Sequence, residues 1–258
     1  VVFNTGMAGY PEALTDPSYA GQILVFTYPL IGNYGVPPSY SGPDPLTSPF
    51  ESEAIQVRGV VTAAYSRTWA HCNSGRSLGE WLNSEEVPGI TGVDTRTLTR
   101  KLRKEGTVPG RMYDDKKPDL TVEKEEFVLP DLSARKDCVY GSGRPRVLLL
   151  DCGCKNSIIR EFTSRGVSVQ RAGWDTNIHE HTFDALFVSN GPGNPARWEE
   201  PVKSVRAAME KKIPVLGICL GLQILALAAG AETYKLPYGH RGQNQPVREN
   251  TTGRCFIT

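Results

Sequence analysis

The sequence of 258 residues has almost no charge of one sign to spare: 29 Lys and Arg stand against 28 Asp and Glu, a formal net charge of +1. Without a basic surplus there is no general pull on a nucleic-acid backbone, so no nucleic-acid partner is expected. No apolar run approaches the roughly 18–20 residues that cross a bilayer, so no membrane partner is expected either. Histidine is scarce, with four in the chain (71, 179, 181, 240) and none at ligand spacing to a cysteine. The six cysteines contain no CxxC pair, and Cys152-Gly153-Cys154 is too close for a zinc pair, so no metal site is expected. Unpaired thiols in a chain of this size fit a reducing compartment, the cytoplasm ahead of the mitochondrion. Neither GxxxxGK[ST] nor a GxGxxG after a strand is present, so nucleotide chemistry is not expected within this chain.

What is present is an ordinary globular composition, 39% apolar with 26 glycines, long enough for two domains. The chain opens Val1-Val2-Phe3-Asn4 with no Met and no leader, and it closes in an apolar run, Cys255-Phe256-Ile257-Thr258. It therefore reads as cut from something longer at both ends. The character changes across residues 112–145, where charge and turn residues replace apolar period.

Upstream, eight prolines (11, 17, 29, 37, 38, 43, 45, 49) break the first fifty residues into turns. Strands are expected at 22–27 and 57–63. A helix is expected to start at Ser77, with Glu80 three residues later as a capping box. Another is expected over 94–103, with Leu98 and Leu102 four apart and Gly106 past its end. Residues 1–140 thus read as a small α+β, β-rich domain.

Downstream, strands (146–151, 167–169, 185–189, 214–219) alternate with helices (from 158, around 199–212, and 223–229). That alternation predicts a parallel sheet covered on both faces over 141–258. Ligands of such folds sit at the carboxyl ends of the strands, where residues 190–195 and 217–223 fall.

The sharpest feature is Gly217-Ile218-Cys219-Leu220-Gly221, a Gly-x-nucleophile-x-Gly pattern between a predicted strand and a predicted helix. Flanking glycines permit a tight turn, and the start of the helix behind it favours negative charge on the sulfur. A buried, inert thiol in a glycine-rich strand end is the bland alternative. The Asn190-Gly191-Pro192-Gly193-Asn194-Pro195 loop offers backbone N–H groups to a developing oxyanion; otherwise it is a plain turn. His179-Glu180-His181 reads as solvated surface, and His240 as structural or interfacial.

Together the 189–195 and 217–223 segments resemble the class I glutamine amidotransferase domain. Residues 3–18, Tyr28-Pro29-Leu30-Ile31-Gly32-Asn33-Tyr34-Gly35, residues 92–99 and residues 234–246 extend the resemblance. With them nearly the whole chain is similar to the small subunit, or fused glutaminase region, of carbamoyl-phosphate synthetase. The resemblance implies an α/β fold: a parallel-sheet amidotransferase domain, incomplete at its C-terminus, after a smaller domain. It implies glutamine as substrate and Cys219 as the nucleophile that forms a thioester. Oxyanion donors would be the N–H groups of Leu220 and Gly193. Ser18, Gly191, Gly193 and Gln223 match positions that hold glutamine. The partner would be a synthetase large subunit or fused synthetase domains, which use ATP and Mg²⁺; this chain itself would hold no cofactor.

Two departures stand out. The family's catalytic His-x-Glu segment lies beyond the point where this chain stops, so the 258 residues alone are expected to be nearly inactive: general acid–base catalysis is worth roughly 10²–10⁴-fold. Leu222 stands where the family commonly has His. A silent glutaminase-like module in an ammonia-using synthetase is the alternative reading. An amidotransferase for another acceptor fits the second half of the chain, but residues 1–112 speak against it.

Overall fold

A computed structural model describes residues 1–38, 44–113, 137–239 and 246–257. The charged segments at 114–119 and 123–126, and His240, lie outside the described residues.

The first part of the chain runs β1 (Val2–Asn4), α1 (Tyr10–Thr15), β2 (Ile23–Phe26), β3 (Leu30–Ile31), β4 (Gly59–Val61), β5 (Ala64–Tyr65), α2 (Leu78–Ser84), β6 (Gly89–Ile90) and α3 (Thr95–Glu105). Strands β1, β2, β4 and β6 form a parallel sheet in the order β1-β2-β4-β6, while β3 pairs with β5 beside it. Side chains alternate across the sheet. Leu24, Phe26 and Val60 join one core with Leu14, Leu78 and Trp81 of the α1/α2 face. Phe3, Val25 and Val61 meet Leu102 of α3 on the other. The capping box of α2 is present in both directions: the Glu80 N–H donates to the Ser77 hydroxyl, and the Ser77 N–H donates to the Glu80 carboxylate. Asp94 caps α3, and Gly106 ends it at φ 85°. Helix α1 was not anticipated. Pro11 sits in its first turn, where the missing N–H costs no intrahelical bond.

The second part contains β7 (Cys138–Tyr140), β8 (Arg146–Asp151), α4 (Asn156–Ser164), β9 (Ser168–Gly173), β10 (Ala185–Val188), α5 (Glu199–Glu210), β11 (Val215–Gly217), α6 (Leu220–Ala228), β12 (Pro246–Arg248) and β13 (Cys255–Ile257). The described strands give a sheet ordered β11-β10-β8-β9-β7, parallel except for β7. Leu148 and Leu150 of β8 face α5 and α6, whereas Val147 and Leu149 face Ile159 of α4. Four consecutive buried side chains are what a strand covered on both sides requires. Strand β7 joins this sheet although the turn-rich sequence around it gave no strand signal.

The two parts meet closely. Helix α4 lacks a side-chain cap of its own. Glu51, from the first part, replaces it: its carbonyl accepts from Asn156 N–H at 2.9 Å and its carboxylate from Ser157 N–H at 2.9 Å. Arg160 of α4 returns hydrogen bonds to the carbonyls of Leu46 (3.2 Å) and Ser48 (2.7 Å). At the other side Tyr238 packs on Phe3, with the Arg103 guanidinium over both rings.

Candidate active site

Strands β8, β10 and β11 are neighbours in one parallel register. Val188 pairs with both Leu150 and Gly217, so their carboxyl ends finish side by side. Three turns leave from these ends: residues 152–154, 189–193 and 218–219. Backbone crowding there explains the glycines. A Cβ on Gly191 would lie 2.1 Å from the Cys152 carbonyl oxygen and 2.9 Å from Leu220 Cδ2. A Cβ on Gly221 would lie 2.0 Å from the Val188 carbonyl oxygen, and one on Gly217 would lie 2.4 Å from the Gly221 carbonyl carbon. Gly153, at φ 121°, sits between Gly191, Pro192 and Pro17 of the first part.

Cys219 is the N-cap of α6, with φ 54° and ψ −109°, a conformation rarely adopted by a residue with a side chain. Strain of this kind costs about 1–3 kcal/mol and is held only where the surroundings enforce it. Here they do: Ile218 N–H is tied to the Val188 carbonyl at 3.2 Å, and Gly221 N–H to that of Ile218 at 3.0 Å. The residue is exposed. Leu220, buried behind it, is the first residue of α6, so its N–H has no intrahelical acceptor. Gln223 lies four residues after Cys219 on the same helix face and is exposed; its N–H donates to the Cys219 carbonyl at 3.2 Å. Leu222 is also exposed.

Gly193 lies farther along the β10 loop at φ 90°. Ser18 enters from the other part of the chain, in a short turn capped by Asp16, whose carboxylate accepts from Ser18 N–H at 2.8 Å. The Asn190 amide bridges the two, donating to Ser18 Oγ at 3.0 Å and to the Gly153 carbonyl at 2.9 Å. The predicted residues therefore fall on three adjoining pieces: the α6 start, the 190–193 loop, and the Ser18 turn fastened to that loop.

Sequence reasoning missed three supporting groups. Asn190 is buried and links parts 172 residues apart. Asp151, at the end of β8, holds the 152–154 turn: one carboxylate oxygen accepts from Gly153 N–H (2.9 Å) and Cys154 N–H (2.7 Å). The other accepts from Arg171 Nε (2.7 Å) and lies 2.6 Å from its Nη2. Burial opposes the Arg171 charge, yet Asp151 outweighs it and the guanidinium pKa stands above its ordinary value. Lys155 places its ammonium 3.9 Å from Asp16 and 3.6 Å from Glu51. Burial raises the Asp16 pKa, with Lys155 pulling the other way. Burial, then Asp151, pushes the Cys152 thiol well up, so Cys152 is no rival nucleophile.

The described histidines are held elsewhere. His179 takes a hydrogen bond from Lys211 at 2.9 Å. His181 is half-buried between Gln170 (2.8 Å) and Thr176 (3.0 Å), a correction to its reading as solvated surface. Among the described residues no group of His, Cys, Asp and Glu is placed to hold a metal, and no helix is long and apolar enough to cross a membrane.

Comparison with known proteins gives two family matches. Residues 1–112 match the carbamoyl-phosphate synthase small chain, CPSase domain, and residues 148–258 match glutamine amidotransferase class-I. The whole chain is 44% identical over 268 residues to the carbamoyl phosphate synthase arginine-specific small chain of Aspergillus niger, of which it covers 59%. It is 43% identical over 274 residues to the carbamoyl phosphate synthase small chain of Pyrococcus furiosus, covering 73%. It is 43% identical over 265 residues to multifunctional protein CAD of Squalus acanthias, covering 12%. The chain thus spans about three-fifths of the Aspergillus relative's length and a smaller share of CAD. With both halves matched in the same order, and all of its residues aligned to these relatives, the chain belongs to the carbamoyl-phosphate synthase small-chain family.

Proposed function

We propose that this chain supplies the glutamine-hydrolysing activity of a carbamoyl-phosphate synthase, with Cys219 as nucleophile. The observation that carries the reading is the backbone of Cys219: an exposed thiol held at φ 54° on the cap of α6, beside a loop that a single added methyl would clash with. A side chain is kept in such a conformation at a cost, and a reactive turn gives a reason for it.

The sulfur bonds to the side-chain amide carbon of glutamine, and the carbonyl π pair moves onto oxygen. The N–H groups of Leu220 and Gly193 are the donors assigned to that oxyanion. Collapse breaks the C–N bond, and nitrogen leaves as ammonia after taking a proton. Water then cleaves the γ-glutamyl thioester, releasing glutamate and regenerating the thiol. Ser18, Gly191, Gly193 and Gln223 hold the substrate between the two parts of the chain. His179 and His181 hold the partners given above, His71 Nδ1 accepts from Asn73 N–H at 3.2 Å, and the proton transfer is assigned, on family resemblance, to a His-x-Glu segment that is not among these residues.

Ammonia set free in water is protonated and diffuses away. We therefore assign the product to a synthetase large subunit, or to fused synthetase domains, that join it to bicarbonate with ATP and Mg²⁺.

The test is glutamate release from glutamine by the full-length protein together with its synthetase. Cys219→Ala is expected to abolish release, and an electrophilic chloroketone analogue of glutamine is expected to label Cys219. A wild-type protein that neither releases glutamate nor takes the label refutes the reading in favour of a silent module.

A further inference from the structure

Asn190 is among the most heavily engaged polar side chains in the described structure, and hydrolysis as written above gives it no task. It is 3% exposed. Its Nδ2 lies 2.9 Å from the Gly153 carbonyl, 3.0 Å from Ser18 Oγ and 3.4 Å from Asp16 Oδ1; its Oδ1 accepts from Lys155 N–H at 3.2 Å. A carboxamide has two N–H donors and one carbonyl acceptor. A backbone donor on one end and a backbone acceptor on the other leave one orientation, since a flipped amide would face N–H with N–H and oxygen with oxygen. Asn190 therefore has a fixed donor direction, and it aims at Ser18.

The receiving side is equally fixed. The Asp16 carboxylate takes the Ser18 N–H at 2.8 Å and so holds the turn that presents the hydroxyl. Asp16 in turn faces the Lys155 ammonium at 3.9 Å, and the Lys155 N–H returns to Asn190. The contacts close into a ring through Asn190, Ser18, Asp16 and Lys155. One backbone bond beyond Asn190 stands Gly191, the first glycine of the loop that carries Gly193.

Resting on the glutaminase reading, we propose that Asn190 is a positioning residue that sets the Ser18 hydroxyl and the 191–193 loop as one unit. It touches neither the scissile amide nor the sulfur in this role. It acts by making the substrate contact from one domain and the oxyanion contact from the other share a single buried anchor. The consequence is kinetic. Removing Ser18 Oγ alone takes away a contact far from the reacting carbon and weakens binding in ground and transition states alike. Removing the Asn190 donor loosens both Ser18 and the loop, so binding and turnover fall together.

The experiment is a double-mutant cycle in the full-length protein with its synthetase, reading KM and kcat for glutamine-dependent glutamate release. Ser18→Ala is expected to raise KM by about tenfold with kcat nearly kept, as loss of uniform binding requires. Asn190→Ala is expected to raise KM similarly and to lower kcat by about 30–100-fold, the cost of a loop misplaced by about 1 Å. In the Asn190→Ala background, Ser18→Ala should add less than about twofold to KM, because the two act through one contact. Asn190→Leu keeps the side-chain volume and removes the NH₂ donor without setting a charge beside Asp16, so it covers the case in which Asn190→Ala does not fold; it should show the same pattern. Wild-type KM and kcat in a folded Asn190→Ala or Asn190→Leu, or KM effects that multiply across the cycle, would overturn the proposal. A wild-type protein with no glutamine chemistry refutes the function instead, and the two failures are thus separable.

Discussion

Replacing Gly221 with Ala sets two effects of opposite sign against each other. Inside a helix Ala is preferred to Gly by about 1 kcal/mol, which on propensity alone predicts a more stable protein. The added Cβ, however, would lie 2.0 Å from the Val188 carbonyl oxygen, 2.7 Å from its carbon and 3.0 Å from the Ser189 oxygen. These are backbone atoms at the end of β10, between β8 and β11, and cannot rotate aside. Moving from 2.0 Å to ordinary contact at 3.4 Å asks the first turn of α6 to retreat by about 1.4 Å. Overpacking of this sort costs about 1–3 kcal/mol, so the net loss of stability is about 0–2 kcal/mol after the helix preference is subtracted. At about 2–4 °C per kcal/mol the melting point falls by only a few degrees. The retreat carries Cys219 and Leu220 away from the 191–193 loop, which stays anchored through Asn190. A displacement near 1 Å costs about 10²-fold in rate. Initial rates of glutamate release and calorimetric melting of the full-length protein measure both. Gly89→Ala serves as control, since its Cβ meets only Leu82 Cδ1 at 3.4 Å. If folded Gly221→Ala keeps kcat/KM within about threefold of wild type, the steric argument is refuted.

Two further substitutions test the supports of the site. Because burial raises the Asp16 pKa above 3.8 in the folded state, the group favours folding below that value and loses this contribution as pH rises through its folded pKa. Lys155 offsets the loss, so Lys155→Met should destabilise by about 1–3 kcal/mol near pH 7, less than a fully buried pair because Lys155 is partly exposed. The deficit should shrink toward pH 4 as Asp16 takes up a proton; a deficit in urea unfolding that stays constant with pH would contradict this. Asp151→Asn retains an oxygen acceptor for Gly153 and Cys154 but leaves the buried Arg171 without its counter-charge. The expected loss is about 3–5 kcal/mol, read as a lower urea midpoint at unchanged slope, and a loss below about 1 kcal/mol would show that water reaches the guanidinium.

Local chemistry made part of this molecule legible. The Ser77/Glu80 box, the Asp94 and Gly106 ends of α3, and the apolar run of β8 each declare themselves within a few residues, and each is found where expected. The glycines flanking Cys219 carry the same kind of signal, because a turn that crowds backbone against backbone excludes a Cβ. Elements of fewer than two periods of their pattern were not legible. Strand β7 has three residues among turn formers, and α1 has six with a proline at its start. Nor could the sequence disclose Asn190, Asp16 and Lys155 as one cluster. Their partners are set by how two sheets dock, and single polar residues carry no periodicity to mark a contact 172 residues away. Asp151 left a faint trace as a charged residue closing an apolar strand just before a glycine.

The composition shift at residues 112–145 falls between the segments that match the two family models, but the proposed site draws on both. Helix α4 begins without a cap and is completed by Glu51 from the other side. A Cβ on Gly153, already disfavoured by its φ of 121°, would lie 3.2 Å from Pro17 as well as from Gly191. Asn190, whose backbone leads into the oxyanion loop, spends a donor on Ser18. Each of these ties runs from the first part of the chain to the second: a helix cap, a turn contact and a side-chain hydrogen bond. The amino-terminal part thus supports the 190–193 loop through Ser18 and Asp16. On the proposed glutaminase reading, a change at this contact far from Cys219 is therefore expected to alter turnover through positions already fixed by hydrogen bonds, with no large rearrangement required.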